Sequence, residues 1–348
     1  MLTPADLTVP LIAAPMAGGP STPELVAAAE QAGGTGFLAS GYGGVDALLE
    51  QVRRARELGA TRFGVNLFVP DPEAADLDAA LAYRDALAPL AVELGIDELG
   101  TPRQDDSGFD AKVEALLADP VPLVSFTFGL PSGETITRFH DVGTAVWVTV
   151  AHARDAEAAA AAGVDAVVAQ GPEAGGHRST FAVVDTPDDA PLGELLRSVR
   201  AAVDVPVVAA GGLTTGEEVA RALEVADAVQ VGTALLDSDE AGTSPGHRAA
   251  LRDPALTATA VTRAFTGRPA RSLVNDLVRR FDAVAPAAYP ALNHVTWPIR
   301  QDGGAAGDTR FIPLWAGQRW QDAPSGPAAR IVADLWADAQ AAGAGRRG

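Results

Sequence analysis

The sequence predicts an α/β protein: a (β/α)8 TIM barrel with a smaller inserted substrate domain after the eighth strand. Three observations point there. Eight short apolar runs recur along the chain, most of them continuous rather than alternating, as strands buried on both faces should be. Alanine-rich stretches with helical periodicity separate them. After the eighth run the pattern gives way to a long segment rich in Thr, Arg and Pro, then resumes in one last helical stretch. An open doubly wound sheet is the competing arrangement, but no GxGxxG opens a first βα turn.

The strand candidates, in order, are residues 11–17, 36–40, 63–68, 123–128, 145–150, 166–170, 207–210 and 228–235. Helical patterns at 23–31, 45–58, 132–141, 153–162, 192–202 and 214–223 fall between them. The stretch 70–120 is long for one crossover and predicts two helices, 75–94 and 109–118, around a polar loop at 100–108. Residues 237–310 read as a small substrate or lid domain beside the barrel mouth, and 328–341 as the eighth barrel helix returning after it. The barrel therefore spans 1–236 and 311–342, with a flexible tail at 343–348.

Composition narrows the function. A hydrophobic content of 47% in 348 residues allows a large core. Lys and Arg number 26 against 45 Asp and Glu, a net charge of -19, which argues against nucleic acid or an anionic membrane as partner. An anionic ligand then needs a local device to overcome the overall field. The absence of cysteine excludes disulfides, thiolate metal sites and a cysteine nucleophile, and no metal site is expected. No apolar run reaches the roughly 18 to 20 residues of a membrane span. The start MLTPADLTVPLIAAPMAGG has no basic region ahead of its apolar stretch. The expectation is a cytoplasmic protein acting on small molecules, with a homodimer left open.

In a (β/α)8 barrel, chemistry sits where strands end and βα loops begin. Asn66 stands inside the apolar run of strand three, where a buried amide needs partners; it offers a donor and an acceptor to a ring edge, or bonds neighbouring loops. Strand six ends in Gln170 and runs into a turn, Gly171-Pro172-Glu173-Ala174-Gly175-Gly176, that delivers His177. Glycines there let backbone approach a flat ligand, and an imidazole exchanges protons near neutrality. The competing reading of His177 is a surface histidine. His140, His152, His247 and His294 lie in less suggestive places.

Strand seven ends in Gly211 and Gly212, and the following Thr214 and Glu217 have the spacing of a capping box. Strand eight ends Gln230-Val231-Gly232-Thr233. Loops after strands seven and eight form the usual phosphate site of this fold, where free N–H groups meet a helix dipole. Two tight turns are the alternative. Met16 at the end of strand one suits an aromatic ring across the barrel mouth, though core packing explains it equally, as it does Ser125 and Thr127 on strand four. Arg268 and Arg271 bind an anion or, the stronger expectation, pair with surplus carboxylates.

Taken together, these strings resemble the nitronate monooxygenase family, formerly called 2-nitropropane dioxygenases. The resemblance runs through APMAG at 14–18, GVNLF at 64–68, SFTFGLP at 125–131, AQGPEAGGH at 169–177, AAGG at 209–212, QVGTA at 230–234, FTGRPAR at 265–271 and WAGQ at 315–318. It implies an FMN-bearing barrel, with FMN contacts at Asn66, Gln170, Gly175, Gly212 and Gln230 through Thr233, and His177 as the catalytic residue. It implies oxidation of alkyl nitronates, such as propionate 3-nitronate, by O2. His177 would hold or deprotonate the substrate and, when protonated, bind its anionic nitro group. Similar flavin enoyl reductases usually carry Glu at the place of Gln170. Ser179 departs from the family pattern, where Gly is common. The alternatives are an FMN-dependent NAD(P)H reductase of enoyl thioesters or quinones, and a flavin or phosphate-ligand binding protein without turnover.

Overall fold

The structure is a computed structural model that describes residues 1–73 and 75–343. The expected tail therefore lies, from residue 344 on, outside the described residues. Among the described residues there are eleven strands: β1 Leu11–Ala13, β2 Thr35–Ala39, β3 Gly64–Phe68, β4 Leu123–Thr127, β5 Ala145–Val150, β6 Ala166–Gln170, β7 Gly176–His177, β8 Val207–Ala210, β9 Ala228–Val231, β10 Thr259–Thr262 and β11 Ala270–Leu273. Eight of them close a parallel barrel in the order β1-β2-β3-β4-β5-β6-β8-β9, and the ring shuts where β1 pairs β9 with Ile12 opposite Gln230. The predicted TIM barrel is the fold observed.

Strand alternation explains how this barrel is filled. Ile12, Phe37, Leu123, Trp147, Val168 and Val208 form one buried cluster inside the ring, joined by Leu2 and Leu7 from the N-terminal segment. Their neighbours in sequence, such as Leu38, Val65, Val124, Val148 and Val167, pack with the surrounding helices. Counting by twos along the strands, an inward position near the C-terminal end of five of the eight falls on Asn66, Thr127, Thr149, Gln170 or Gln230. The barrel is thus apolar within and polar at its C-terminal rim.

Several boundaries shift by a residue or two, and three of the differences bear on the barrel rim. β1 ends at Ala13, not at residue 17: the amide of Ala14 still reaches Val231, but Pro15 has no N–H, Ser21 Oγ takes the Met16 amide at 2.8 Å, and Gly18 and Gly19 turn at positive φ. β9 ends at Val231, after which Gly232 leaves the strand and Thr233–Leu235 form a 3-10 turn. The helix expected from 214 starts at Gly216, and its capping box is Thr215 with Glu218 rather than Thr214 with Glu217. Glu218 Oε2 accepts from Thr214 N and Thr215 N, at 2.9 and 3.0 Å, so both amides are spoken for.

Beyond the barrel, β10, β11 and β7 form a small antiparallel sheet that the sequence reading did not contain. A second core joins Tyr83, Leu87 and Leu90 of helix Leu77–Leu94 to Phe265, Leu292 and Phe311. Tyr83 donates its hydroxyl to Ala264 O at 2.8 Å. This helix precedes β4 in the chain yet packs with the segment that follows β9. Helix Ala328–Ala341 packs between helices Gly216–Leu223 and Pro23–Gln31, which closes the outer ring. No helix among the described residues is long and apolar enough to cross a membrane.

Candidate active site

The C-terminal rim of the barrel opens into a cavity of about 990 Å³, roofed by residues of the segment after β9. Met16, Asn66, Gln170, Gly175, His177, Gly211, Gly212, Gln230, Val231, Gly232 and Thr233 all line it. Eight strands with one polarity bring these positions together, although they span most of the sequence.

Asn66 is buried, and its Nδ2 donates to Ser125 Oγ and Thr127 Oγ1, both at 2.9 Å. Ser125 and Thr127 are therefore the braces of Asn66 and not simple core fillers. Its donor is consumed; its Oδ1 has no partner among the described residues and is the atom left for a ligand N–H. On the far side of the rim, the N–H groups of Gly211, Gly212, Gly232 and Thr233 find no acceptor among the described residues. Gly211 and Gly212 adopt φ of 119° and 67°, and a Cβ on Gly212 would lie 2.8 Å from Glu173 Cβ. Such a turn needs glycine, and its free donors suit an anion. These donors come from the turns themselves, because Glu218 already occupies the amides at the helix end.

The loop after β6 is held by its own amide. Gln170 donates through Nε2 to His177 O at 2.9 Å and accepts from Ser179 N through Oε1 at 3.0 Å. A carboxylate at this position could accept but not donate, so this loop geometry calls for glutamine. Ser179 Oγ donates to Thr149 O at 2.8 Å and accepts from the amide of Phe128 at 3.4 Å. The hydroxyl that sets Ser179 apart from glycine thus ties the ends of β4 and β5 to the His177 loop. Phe128 sits at φ 77°, a strained conformation for a non-glycine residue, beside the imidazole. Gly175 approaches Ala316 so closely that a Cβ would lie 2.5 Å from its carbonyl carbon.

His177 pairs backbone-to-backbone with Ala270 of β11, while its Nε2 lies 2.9 Å from Thr266 Oγ1. Phe128, Tyr289 and Trp315 surround the ring at 5.3–6.3 Å between centroids. Burial, with the guanidinium charges of Arg268 and Arg300 added, pushes its pKa down to about 3. That shift favours the neutral imidazole at pH 7.

Arg268 and Arg271 also depart from expectation. Neither is chiefly a carboxylate partner. Arg268, fully buried, donates to Thr180 O at 2.7 Å and lies over the Phe128 ring at 4.2 Å, with Asp71 only at 3.8 Å. Arg271 donates to Pro172 O at 2.8 Å and Thr259 Oγ1 at 3.0 Å. Both guanidiniums brace the loops that flank His177. The sequence reading missed Thr266, Tyr42, Tyr289, Trp315 and Arg300. Thr266 and Trp315 lie inside the strings 265–271 and 315–318 but carry no role there by themselves, Tyr42, Tyr289 and Arg300 sit in stretches with no periodicity or spacing to mark them, and only the fold carries all five to this site.

The sequence profile of the family described as nitronate monooxygenase matches residues 1–338. A probable nitronate monooxygenase of Staphylococcus aureus (strain Newman) is 33% identical over 337 residues, covering 95% of this chain and 94% of the relative. Its counterpart in Staphylococcus saprophyticus is 33% identical over 319 residues, covering 90% and 89%. Among solved structures, the nitroalkane oxidase from Streptomyces ansochromogenes superposes with a TM-score of 0.93 at 47% identity, covering 97% of this chain and 98% of that one. FabK from Thermotoga maritima gives a TM-score of 0.75 at 26% identity, covering 96% and 94%.

Proposed function

Because this chain belongs to the nitronate monooxygenase family, we propose that it is an FMN-dependent enzyme that oxidises alkyl nitronates with molecular oxygen, giving a carbonyl product and nitrite. The observation that carries this reading is the cavity itself. One rim supplies four unpaired backbone N–H groups, the other an amide oxygen without a donor, and a neutral histidine stands between flanking aromatic rings.

These residues fit FMN. Gly211, Gly212, Gly232 and Thr233 would hold the phosphate, with Met16, Gly175, Gln230 and Val231 beside the flat ring system and Asn66 Oδ1 facing a ring N–H. A Cβ built on Gly232 would meet Ala14 Cβ and Met16 Sδ at ordinary contact distances, 3.5 and 3.6 Å, so no protein neighbour forces glycine at that turn. The cofactor supplies the redox chemistry, taking electrons from the substrate and handing them to oxygen. Everything else falls to side chains. The aromatic wall of Phe128, Tyr289 and Trp315 keeps water from the reacting carbon. Thr266 fixes the orientation of His177, whose other ring nitrogen, Nδ1, has no partner among the described residues and can bond the substrate. Gln170 braces the loop that places it. A neutral imidazole with so low a pKa is a poor base, which favours substrates that arrive already as nitronates.

The form QGPEAGGH, with an amide at Gln170, supports the nitronate-oxidising class over reductases that carry a glutamate there. The cofactor is tested by denaturing the purified protein and chromatographing the supernatant. Release of FMN, one per chain, is expected. A colourless protein that cannot be reconstituted with FMN, or one that releases FAD, overturns the reading.

A further inference from the structure

We propose that Arg300 is a second anion seat in this cavity, on the substrate side, and that its ligand is a planar oxyanion: the nitronate group of the substrate. The inference rests on the nitronate reading above and names the residue that discriminates for it.

Three arginines line the cavity. Arg103 has Asp105 at 3.7 Å and Arg319 has Glu218 at 2.8 Å. Arg300 has no carboxylate in ion-pair range among the described residues. In a chain with 45 acidic and 26 basic residues, a cation inside a cavity and left without a carboxylate is unusual. Asp105, an acid that also lines the cavity, is shared between Arg103 and His294, the latter at 3.4 Å.

The guanidinium is held without being neutralised. Its Nη2 donates to Asn293 O at 2.6 Å and to Asn293 Oδ1 at 2.9 Å, and the group lies 5.3 Å from the Trp297 ring centroid. Its Nε is buried with no partner. Donors in a rigid, planar fork suit a planar two-oxygen anion. Burial lowers its pKa only to about 10, so it stays charged at neutral pH. It lines the same cavity as His177 and Tyr42, and its charge acts on the pKa of His177, Tyr42 and Tyr289. Arg268 is the other cation that His177 feels, but its Nη1 goes to Thr180, its Nη2 has the Asp71 carboxylate at 3.8 Å, and it does not line the cavity. With His177 neutral, Arg300 is the group that can balance the substrate's charge.

The test uses the flavin-loaded protein, so that the glycine turns are already filled, and nitrate as a planar oxyanion that cannot react. Nitrate binding is measured by calorimetry for the wild type, Arg300→Gln, Arg300→Lys and Arg103→Gln. Steady-state kinetics with propyl-1-nitronate run in parallel, with flavin content and melting temperature as checks on folding. Arg300→Gln should weaken nitrate about tenfold to a hundredfold and raise KM for the nitronate by a similar factor, as loss of a charge-assisted hydrogen bond does. Arg300→Lys should recover part of both, and Arg103→Gln should stay within about twofold of wild type, since its charge is already paired. Wild-type protein that binds no nitrate, or an Arg300→Gln variant that binds nitrate and nitronate like wild type, overturns the seat. So does Arg103→Gln losing as much as Arg300→Gln, because the effect would then be the general field. If nitrate needs Arg300 but no nitronate is oxidised, the seat stands and the functional reading fails.

Discussion

The protonation state of the substrate is the sharpest lever on this site, because His177 is so poor a proton acceptor. A group with a pKa of about 3 is protonated in about one molecule in ten thousand at pH 7. Transfer of a carbon-bound proton to His177 is then uphill by about 5 kcal/mol at that pH before the carbon acid's own reluctance is counted. A preformed nitronate avoids that step. At pH 7, kcat/KM for propyl-1-nitronate should therefore exceed that for 1-nitropropane by about 10³- to 10⁴-fold. The perturbation is His177→Asn. The bonds that hold the loop, from Gln170 Nε2 and from β11, go to the backbone of residue 177, so flavin content should stay at the wild-type level. Nitronate turnover should fall about tenfold from the lost contact, and the residual nitroalkane turnover should fall at least as far. The assay is initial-rate oxygen uptake, started from nitronate preformed in base or from the nitroalkane, read before the two interconvert. Equal kcat/KM for the two forms in the wild type would refute the reasoning, since it would require an imidazole with a far higher pKa once ligands are bound.

Other expectations follow from the same geometry. Thr266→Val removes the oxygen on His177 Nε2 at near-constant volume; activity should drop about fivefold to a hundredfold, and Thr266→Ser should restore most of it, whereas equal loss in both variants would mean that packing alone matters. Gly212→Asp should empty the flavin site, because it puts a like charge at the phosphate turn and a side chain at φ 67°; flavin retained after gel filtration would place the phosphate elsewhere. His177 and His247 have pKa values lowered to about 3 and about 4, so the unfolded chain binds more protons than the folded one between those values and 6.5. Their contribution to stability is complete above about pH 6.5 and is lost as pH falls toward 4 and then 3. Melting temperature against pH should accordingly fall less steeply in His177→Asn than in wild type across that window, and parallel curves would remove the histidine from the explanation.

Much of this architecture is legible in the chain because it rests on local rules. Largely apolar runs such as residues 145–150 and 166–170, short and rich in Val, read as doubly buried strands. An amide that ends such a run, as Asn66 and Gln170 do, marks the rim. Gly211 and Gly212 are forced by positive φ, so their type announces the turn. The errors were equally physical. A capping box one residue off cannot be told from the right one when Thr214 and Thr215, and Glu217 and Glu218, are all available. β7 is two residues long and exists only because β11, from the segment after β9, returns to pair with it. Charge bookkeeping assigns Arg268 and Arg271 to carboxylates; the fold gives their hydrogen bonds to carbonyls and hydroxyls and leaves Arg268 one carboxylate, Asp71, at 3.8 Å. Nor does sequence reveal that His177 is neutral, because burial and the distant Arg268 and Arg300 decide it.

Oxygen consumption with propionate 3-nitronate and no added nicotinamide is the measurement closest to the central claim. The purified flavin-loaded protein should consume oxygen on addition of the nitronate and release nitrite as oxygen is taken up, with NADH neither required nor oxidised at a comparable rate. Oxygen uptake that appears only with NADH, or a nitronate that is left unchanged while NADH reduces an enoyl thioester or a quinone, would contradict the account and assign the cavity to a reductase.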